Sequence, residues 1–311
     1  MRNEGENLSC SQRKKLKVIK VISATIDYVI LTGSILLLVI GMYAIYDNHK
    51  VYKLADSEEY AKYKPSEEDH LSYDKLRKMN SDVIGWINVY GTKIDYPILQ
   101  TTDNDRYLDE TVDGRYSTAG SIFLDYRNSK DFSDFNSIIY GHHMDQRLMF
   151  GDVDKFIDKK FFNEHAYAVL HRNDKKSLGI EFFSIIKTEG TDSKIYTAAL
   201  PDDSSRKALV NYLYDKALQS RPMNIDQNDR IVLLNTCTFT ITNGRYILAG
   251  KLLDEVPNNP FPDSNEINRK SAWIKKVPKI PLLVWLILLL MILVLIYCLY
   301  EIRRRNQKKR V

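Results

Sequence analysis

Cys237 and the histidines ahead of it are the residues whose types suggest chemistry. The sequence has three cysteines. Cys10 lies in a basic N-terminal tail and Cys298 inside a long apolar run, which leaves Cys237 as the lone thiol of the middle region. Extracellular structural cysteines come in pairs, so a single one reads either as a reactive nucleophile or as a small buried hydrophobe. All six histidines (His49, His70, His142, His143, His165, His171) precede it. Papain-like peptidases carry Cys before His, and that order is impossible here. His142 follows an apolar run in SIIYGHHMDQRLMF, where Gly141 is expected to free the backbone just before the imidazoles. The His142–His143 pair has metal-ligand character. Adjacent strand residues point to opposite faces, however, and no Asp, Glu or Cys set completes a metal site. For the same reason His143 is the rival of His142 but faces the other way if the strand continues. His165 and His171 read as surface residues.

A third residue enters through the segment DRIVLLNTCTFTITNGRYILAGKLL. Cys237 ends an apolar strand and Arg245 begins the next. Two geometries fit the residues between them. Asn243-Gly244 favours a tight type I′ hairpin, which would strand Arg245 roughly 16 Å from Cys237 at strand rise. An open loop over 238–244 would instead put both residues at its base.

The elements that must position these residues are mostly short and β-like. Runs at Val83–Val89, Ile94–Leu99, Ser121–Leu124, Ser137–Tyr140, Ala166–Leu170, Ile180–Lys187, Arg230–Phe239 and Tyr246–Leu253 are separated by Gly, Asn and Asp. Eight such strands predict a sandwich or a closed barrel. One helix interrupts them: over 205–220, Leu209, Leu213 and Ala217 recur at helical spacing. A shorter helix is expected over Asp154–Phe161. Residues 48–80 look helical, with Ser66 and Asp69 resembling a capping box.

The ends of the chain are of a different kind. Tyr28–Ile45 holds 18 residues without a charge and Ile280–Tyr300 holds 21. A membrane-spanning helix needs about 20. The first run lacks a small-x-small cleavage site after it, so an uncleaved anchor is preferred to a signal peptide. The net charge of +5 is concentrated here: residues 1–47 and 280–311 carry 12 of the 45 basic side chains but 5 of the 40 acidic ones. Basic clusters flanking apolar runs predict both termini on the cytoplasmic side and the middle outside the cell, with lipid as one partner. A near-neutral middle excludes a nucleic-acid-binding surface.

Tyr140-Gly141-His142, then Leu233-Leu234-Asn235-Thr236-Cys237, then Arg245 opening the next strand, together resemble the sortase family, the membrane-anchored cysteine transpeptidases of Gram-positive cell walls. DVIGWINVYGTKIDYPILQ (82–100), GSIFLDYRN (120–128) and the helix before the Cys strand are similar to class B, over about residues 56–255. Leu233 stands where the family has Thr. The second apolar run is unusual for class B, and no Asp-Pro-Phe/Trp lid of the class C kind precedes the barrel.

The resemblance implies a mainly β fold, an eight-stranded sortase-type barrel with N-terminal helices and one inserted helix, and the two apolar runs add two flanking transmembrane helices. Together they divide the chain into a cytoplasmic basic tail (1–27), a transmembrane anchor (28–46), an N-terminal helical segment (47–80), a catalytic barrel (81–255), a tether (256–279), a second transmembrane helix (280–300) and a second cytoplasmic tail (301–311). The resemblance also gives the site. It implies Cys237 as nucleophile, His142 as general acid and Arg245 as stabiliser of oxyanion and substrate. Asn104, Leu108, Tyr140, Asn235 and Thr236 are implied to line the peptide groove. Neither metal nor cofactor is implied. The implied partners are secreted proteins with a C-terminal sorting signal and an amine of peptidoglycan precursor, or a pilin Lys in pilus assembly. A non-enzymatic membrane ectodomain with a buried Cys237, and a hydrolytic cysteine peptidase with His before Cys, are the other readings of the same residues.

Overall fold

The computed structural model describes residues 9–65, 71–174, 176–198, 200, 202–238 and 243–261, with isolated positions from 289 to 304; Leu71, Cys237 and Thr238 are described by their backbone. The chain forms two compact units, Met1–His49 with Ile274–Val311, and Lys50–Trp273. The expected capping box at Ser66 and Asp69, most of the tether and the second apolar run, Ile280–Tyr300, lie outside the described residues apart from isolated positions.

Helix α1 (Cys10–Ala55) is longer at both ends than the expected anchor, and is long and apolar enough to cross a membrane. Two hydroxyls of this helix are satisfied within it: Thr25 Oγ1 and Thr32 Oγ1 donate back to the Val21 and Tyr28 carbonyls, at 3.0 and 2.7 Å. The last turn, inside the second unit, buries Leu54 and Ala55. A short helix, α2 (Leu71–Met79), follows.

Nine strands are present among the described residues: β1 (Val83–Val89), β2 (Asp95–Leu99), β3 (Ile122–Leu124), β4 (Asn136–Tyr140), β5 (Tyr167–Arg172), β6 (Ser177–Glu189), β7 (Ala217–Ser220), β8 (Ile231–Thr238) and β9 (Gly244–Leu253). Eight of them close a barrel in the order β5-β1-β2-β3-β4-β8-β9-β6, with β5 pairing back onto β6. The 13-residue β6 makes this closure. It pairs with β9 along one edge, and on the other with β5 at one end and β7 at the other. Closure removes the free edges that an open sheet would expose.

Most strand positions are buried on both faces, so the strands read as apolar runs rather than alternations. Ile87, Ile98, Ile122, Ile139, Leu234 and Leu248 fill the barrel interior. Outside it, Trp86, Leu99 and Phe123 pack under Tyr73 and Leu76 of α2. Ile138, Leu233 and Ile247 pack under Leu209, Val210 and Leu213 of helix α4 (Asp203–Asp215). The Asp202 carboxylate caps α4 by accepting from Ser205 N at 2.8 Å.

Two helical expectations shift. Residues 217–220 leave the helix expected over 205–220 and become β7, because the end of β6 offers an unpaired edge that captures them. The helix expected over Asp154–Phe161 splits into a 3-10 turn, Val153–Ile157, and α3, Lys159–Glu164, with the Asp158 side chain capping the second. His165, expected at the surface, is buried between the rings of Phe161 and Phe261 at 3.6 and 4.5 Å, and burial lowers its pKa.

Leu234 is fully buried in the middle of β8, between Ile139 of β4 and Leu248 of β9. Leu234→Ala should destabilise the 48–279 fragment by about 2–5 kcal/mol in urea unfolding, through lost transfer energy and the cavity left behind.

Candidate active site

The site is built by strand direction. β4 and β8 are parallel neighbours with Tyr140 opposite Asn235, so their C-terminal ends lie at the same rim of the barrel. Gly141 N–H continues the pairing by donating to the Asn235 carbonyl at 3.1 Å. His142 follows on one strand, and Cys237 lies two residues beyond Asn235 on the other. β9 then runs back antiparallel with Cys237 opposite Arg245 and Thr238 opposite Gly244. The tight hairpin that Asn243-Gly244 favours is therefore not formed. Directly opposed α-carbons in such a pair are about 5 Å apart, against the roughly 16 Å of that alternative.

Gly141 is required for a different reason from the one expected. Its backbone is not in the left-handed region, but an added Cβ would lie 2.5 Å from Ile122 Cδ1 and 2.7 Å from Phe150 Cδ2. The glycine lets the loop after His142 pack flat against the barrel. That loop returns at once, with Phe150 N–H donating to the His142 carbonyl at 2.9 Å and His143 bridging Met149.

The two imidazoles have separate partners. His142 Nε2 is 2.8 Å from the Leu108 carbonyl. A carbonyl only accepts, so Nε2 carries the proton. His143 Nε2 lies 3.1 Å from Asp154 Oδ2, and Arg147 also binds that carboxylate. Arg245 is partly exposed and donates from Nη1 to its own neighbour, the Gly244 carbonyl, at 3.0 Å.

Two of the five residues expected in the groove, Asn104 and Tyr140, meet at a residue that sequence reasoning missed, Asp125. Its side chain is fully buried. Asn104 Nδ2 donates to it at 3.0 Å and Tyr140 Oη at 2.9 Å, while Arg127 clamps both oxygens, at 2.8 Å from Nε and 2.7 Å from Nη2. Burial alone would push this carboxyl up. The hydrogen bonds of Arg127, Tyr140 and Asn104 outweigh it and hold the group below its ordinary range. Burial and the Asp125 charge together raise the Tyr140 phenol and keep it protonated. Tyr140 also stacks on Phe123 and Tyr196, whose hydroxyl reaches Asn235 Oδ1 at 3.5 Å. Arg127 Nη2 donates to the Tyr196 carbonyl as well. Thr236 is buried, and its hydroxyl has no hydrogen-bond partner among the described residues. Leu108 is 44% exposed and presents its side chain to solvent. The missed signal was in plain view: Asp125 and Arg127 lie two apart in the quoted stretch GSIFLDYRN, where a carboxylate following an apolar strand needs a cation if it is buried.

A closed eight-stranded barrel with a cysteine, a histidine and an arginine gathered at one rim is the architecture of a cysteine transpeptidase. No protein-family model matches the chain. Among curated proteins, it is 34% identical over 180 residues to sortase B of Listeria monocytogenes, covering 57% of this chain and 72% of that protein. Among solved structures, it is similar to a class B sortase of Streptococcus pyogenes involved in pilus biogenesis, at 38% identity and a TM-score of 0.54 over 58% of this chain and 98% of that one. It is also similar to sortase B from the type II pilus of Streptococcus pneumoniae, at 40% identity and a TM-score of 0.51 over 58% and 98%. The chain belongs to the sortase family and is class B-like, and it is thus a cysteine transpeptidase.

Two outcomes follow from this geometry. Gly120, at φ +59°, lies where an added Cβ would be 2.4 Å from the Tyr107 carbonyl oxygen and 2.6 Å from that of Leu108, the acceptor of His142. Gly120→Ala should therefore lower both the melting temperature and the rate of peptide cleavage, the latter by tenfold or more. Asp125, with its depressed pKa, stabilises the fold above the ordinary carboxylate range, and that contribution is lost as pH falls through the folded-state value. Acid unfolding of Asp125→Asn should lose part of the wild-type slope below about pH 4.

Proposed function

We propose that this sortase cleaves a C-terminal sorting signal of a secreted protein after its Thr and transfers the new carboxyl end to a peptidoglycan amine. The single observation that carries the reading is the β8–β9 register opposing Cys237 and Arg245 at the rim where β4 delivers His142. A free thiol with a pKa near 8.5 is only about 3% thiolate at pH 7, so the nucleophile needs positive charge nearby, which His142 and Arg245 supply. The thiolate attacks the Thr carbonyl and Arg245 stabilises the oxyanion. The C–N bond then breaks as His142 protonates the leaving amine. An incoming amine attacks the thioester, gives its proton back to the imidazole and releases the thiolate. Asn104, Leu108, Tyr140, Asn235 and Thr236 form the groove, its floor made stiff by the Asp125 network.

The extended apolar helix α1 supports a membrane anchor, with the barrel outside the cell and the basic tails inside. A second reading of the acceptor has its own support. The two pilus-associated sortases are 38% and 40% identical to this chain, above the 34% of the Listeria protein. In that reading the resolving amine is a pilin Lys.

The test is incubation of the 48–279 fragment with Leu-Pro-x-Thr-Gly and Asn-Pro-x-Thr-Asn peptides, with an amine acceptor, followed by mass spectrometry of the enzyme and products. A thioacyl adduct on wild type and none on Cys237→Ala is expected. Residual turnover above a few per cent in Cys237→Ala would assign the nucleophile elsewhere. Arg245→Lys keeps the charge but loses the planar fork, and its kcat/KM should fall by about 10²–10³. Retention of more than about a third of wild-type kcat/KM, a loss under ~1 kcal/mol, would reduce Arg245 to a peripheral charge.

A further inference from the structure

The loop that carries His142 is held in an unusual conformation. Gln146, Arg147 and Met149 all have positive φ, at 59°, 65° and 53°. Residues without glycine's freedom adopt that region only where the surroundings impose it. On its outer side the turn is tied by Arg147 to Asp154 and to the Gly151 carbonyl, and by Lys93 Nζ to the Gln146 carbonyl at 2.8 Å. On its inner side one atom does the work. The Tyr96 hydroxyl, on a residue 2% exposed in β2, accepts from Met149 N–H at 3.0 Å. Its own proton goes to the Ala55 carbonyl, at 2.9 Å. Ala55 is the last residue of α1. The same helical turn makes a second link, with Tyr52 Oη 3.4 Å from Asp145 Oδ2, and Val51, Tyr52 and Met144 pack on the same core.

We propose that Tyr96 is a positioning residue, a strut whose hydroxyl joins the last turn of α1 to the loop behind His142 and so sets where the imidazole stands. Tyr96 acts through Met149, which is bridged to His143 and lies one residue from the Phe150 amide that binds the His142 carbonyl, while α1 acts through Tyr96 and, by Tyr52, on Asp145. The hydroxyl is suited to this because it uses donor and acceptor at once, and phenylalanine would fill the same volume while leaving the Met149 amide and Ala55 carbonyl unpaired. The inference rests on His142 as the general acid.

The experiment uses the full chain in detergent, with Tyr96→Phe, Tyr52→Phe and His142→Ala compared to wild type. The readouts are kcat and KM for fluorogenic Leu-Pro-x-Thr-Gly and Asn-Pro-x-Thr-Asn peptides, and the rate of Cys237 labelling by a polar thiosulfonate. Tyr96→Phe is expected to lower kcat at least fivefold with KM within twofold of wild type, since the groove is untouched, and to slow labelling as well, since the imidazole that helps to charge the thiol is displaced. A kcat within twofold of wild type, or kcat and KM changing together, would overturn the strut while leaving the catalytic reading intact if His142→Ala is inactive. An active His142→Ala would instead remove the general acid, and the strut with it. If Tyr96→Phe does not accumulate as folded protein, Tyr52→Phe decides: a kcat lowered at least twofold at unchanged KM supports the coupling, and an unchanged kcat overturns it.

Discussion

The whole site depends on two strands running the same way. β4 and β8 are parallel neighbours, so whatever follows β4 and whatever ends β8 must emerge at one rim. Antiparallel neighbours would have sent the histidine and the cysteine to opposite ends of the barrel. β9 then reverses direction and begins where β8 stops, which brings Arg245 back to the same rim. The order His, Cys, Arg along the chain is thus the order in which three adjacent strands visit one edge. Closure through β5 and the long β6 keeps those strands from splaying.

Beside that rim lies a buried charge. A carboxylate taken fully out of water is costly unless its lone pairs are filled, and Asp125 fills them with a two-point clamp from Arg127 and donors from Asn104 and Tyr140. The consequence is geometric. Three side chains from separate segments are fixed relative to one anion, and Arg127 extends the link to the Tyr196 carbonyl. Asn104, Arg127 and Tyr140 are thus held in place by a residue that is itself out of reach of solvent.

Much of the fold was legible because both-face burial writes strands as apolar runs. β1 begins and ends at the expected residues, and the other barrel strands differ from expectation by a few residues at their ends. What was not legible came from competition between elements. Asn243-Gly244 has the propensity for a tight turn, but Gly244 is held on both sides, by Thr238 of β8 and Glu189 of β6, and that three-strand register outweighs local preference. Ala217 continues a helical spacing, yet its backbone pairs with Ile186 because β6 is longer than β5 can cover. Propensity is a property of a segment and pairing is a property of its neighbours. The role of Asp125 was only half legible: Arg127 stands two residues on in GSIFLDYRN, but Asn104 and Tyr140, which complete its hydrogen bonds, come from distant segments. The position of His142 before Cys237 was readable from the order of residue types alone, whereas the loop strain behind it depends on contacts from β2 and α1.

The parallel pairing also sets a schedule. His142 is made 95 residues before Cys237, and its neighbour strand β8 is among the last to be synthesised, followed only by β9 among the barrel strands. Contacts so distant in sequence form late, because the intervening chain must first give up its freedom. While β1 through β6 emerge, β4 has an open edge where β8 will lie, and no thiol is yet present beside the imidazole. Until β8 and β9 have paired, the rim holds one of the three residues, and Arg245 arrives last.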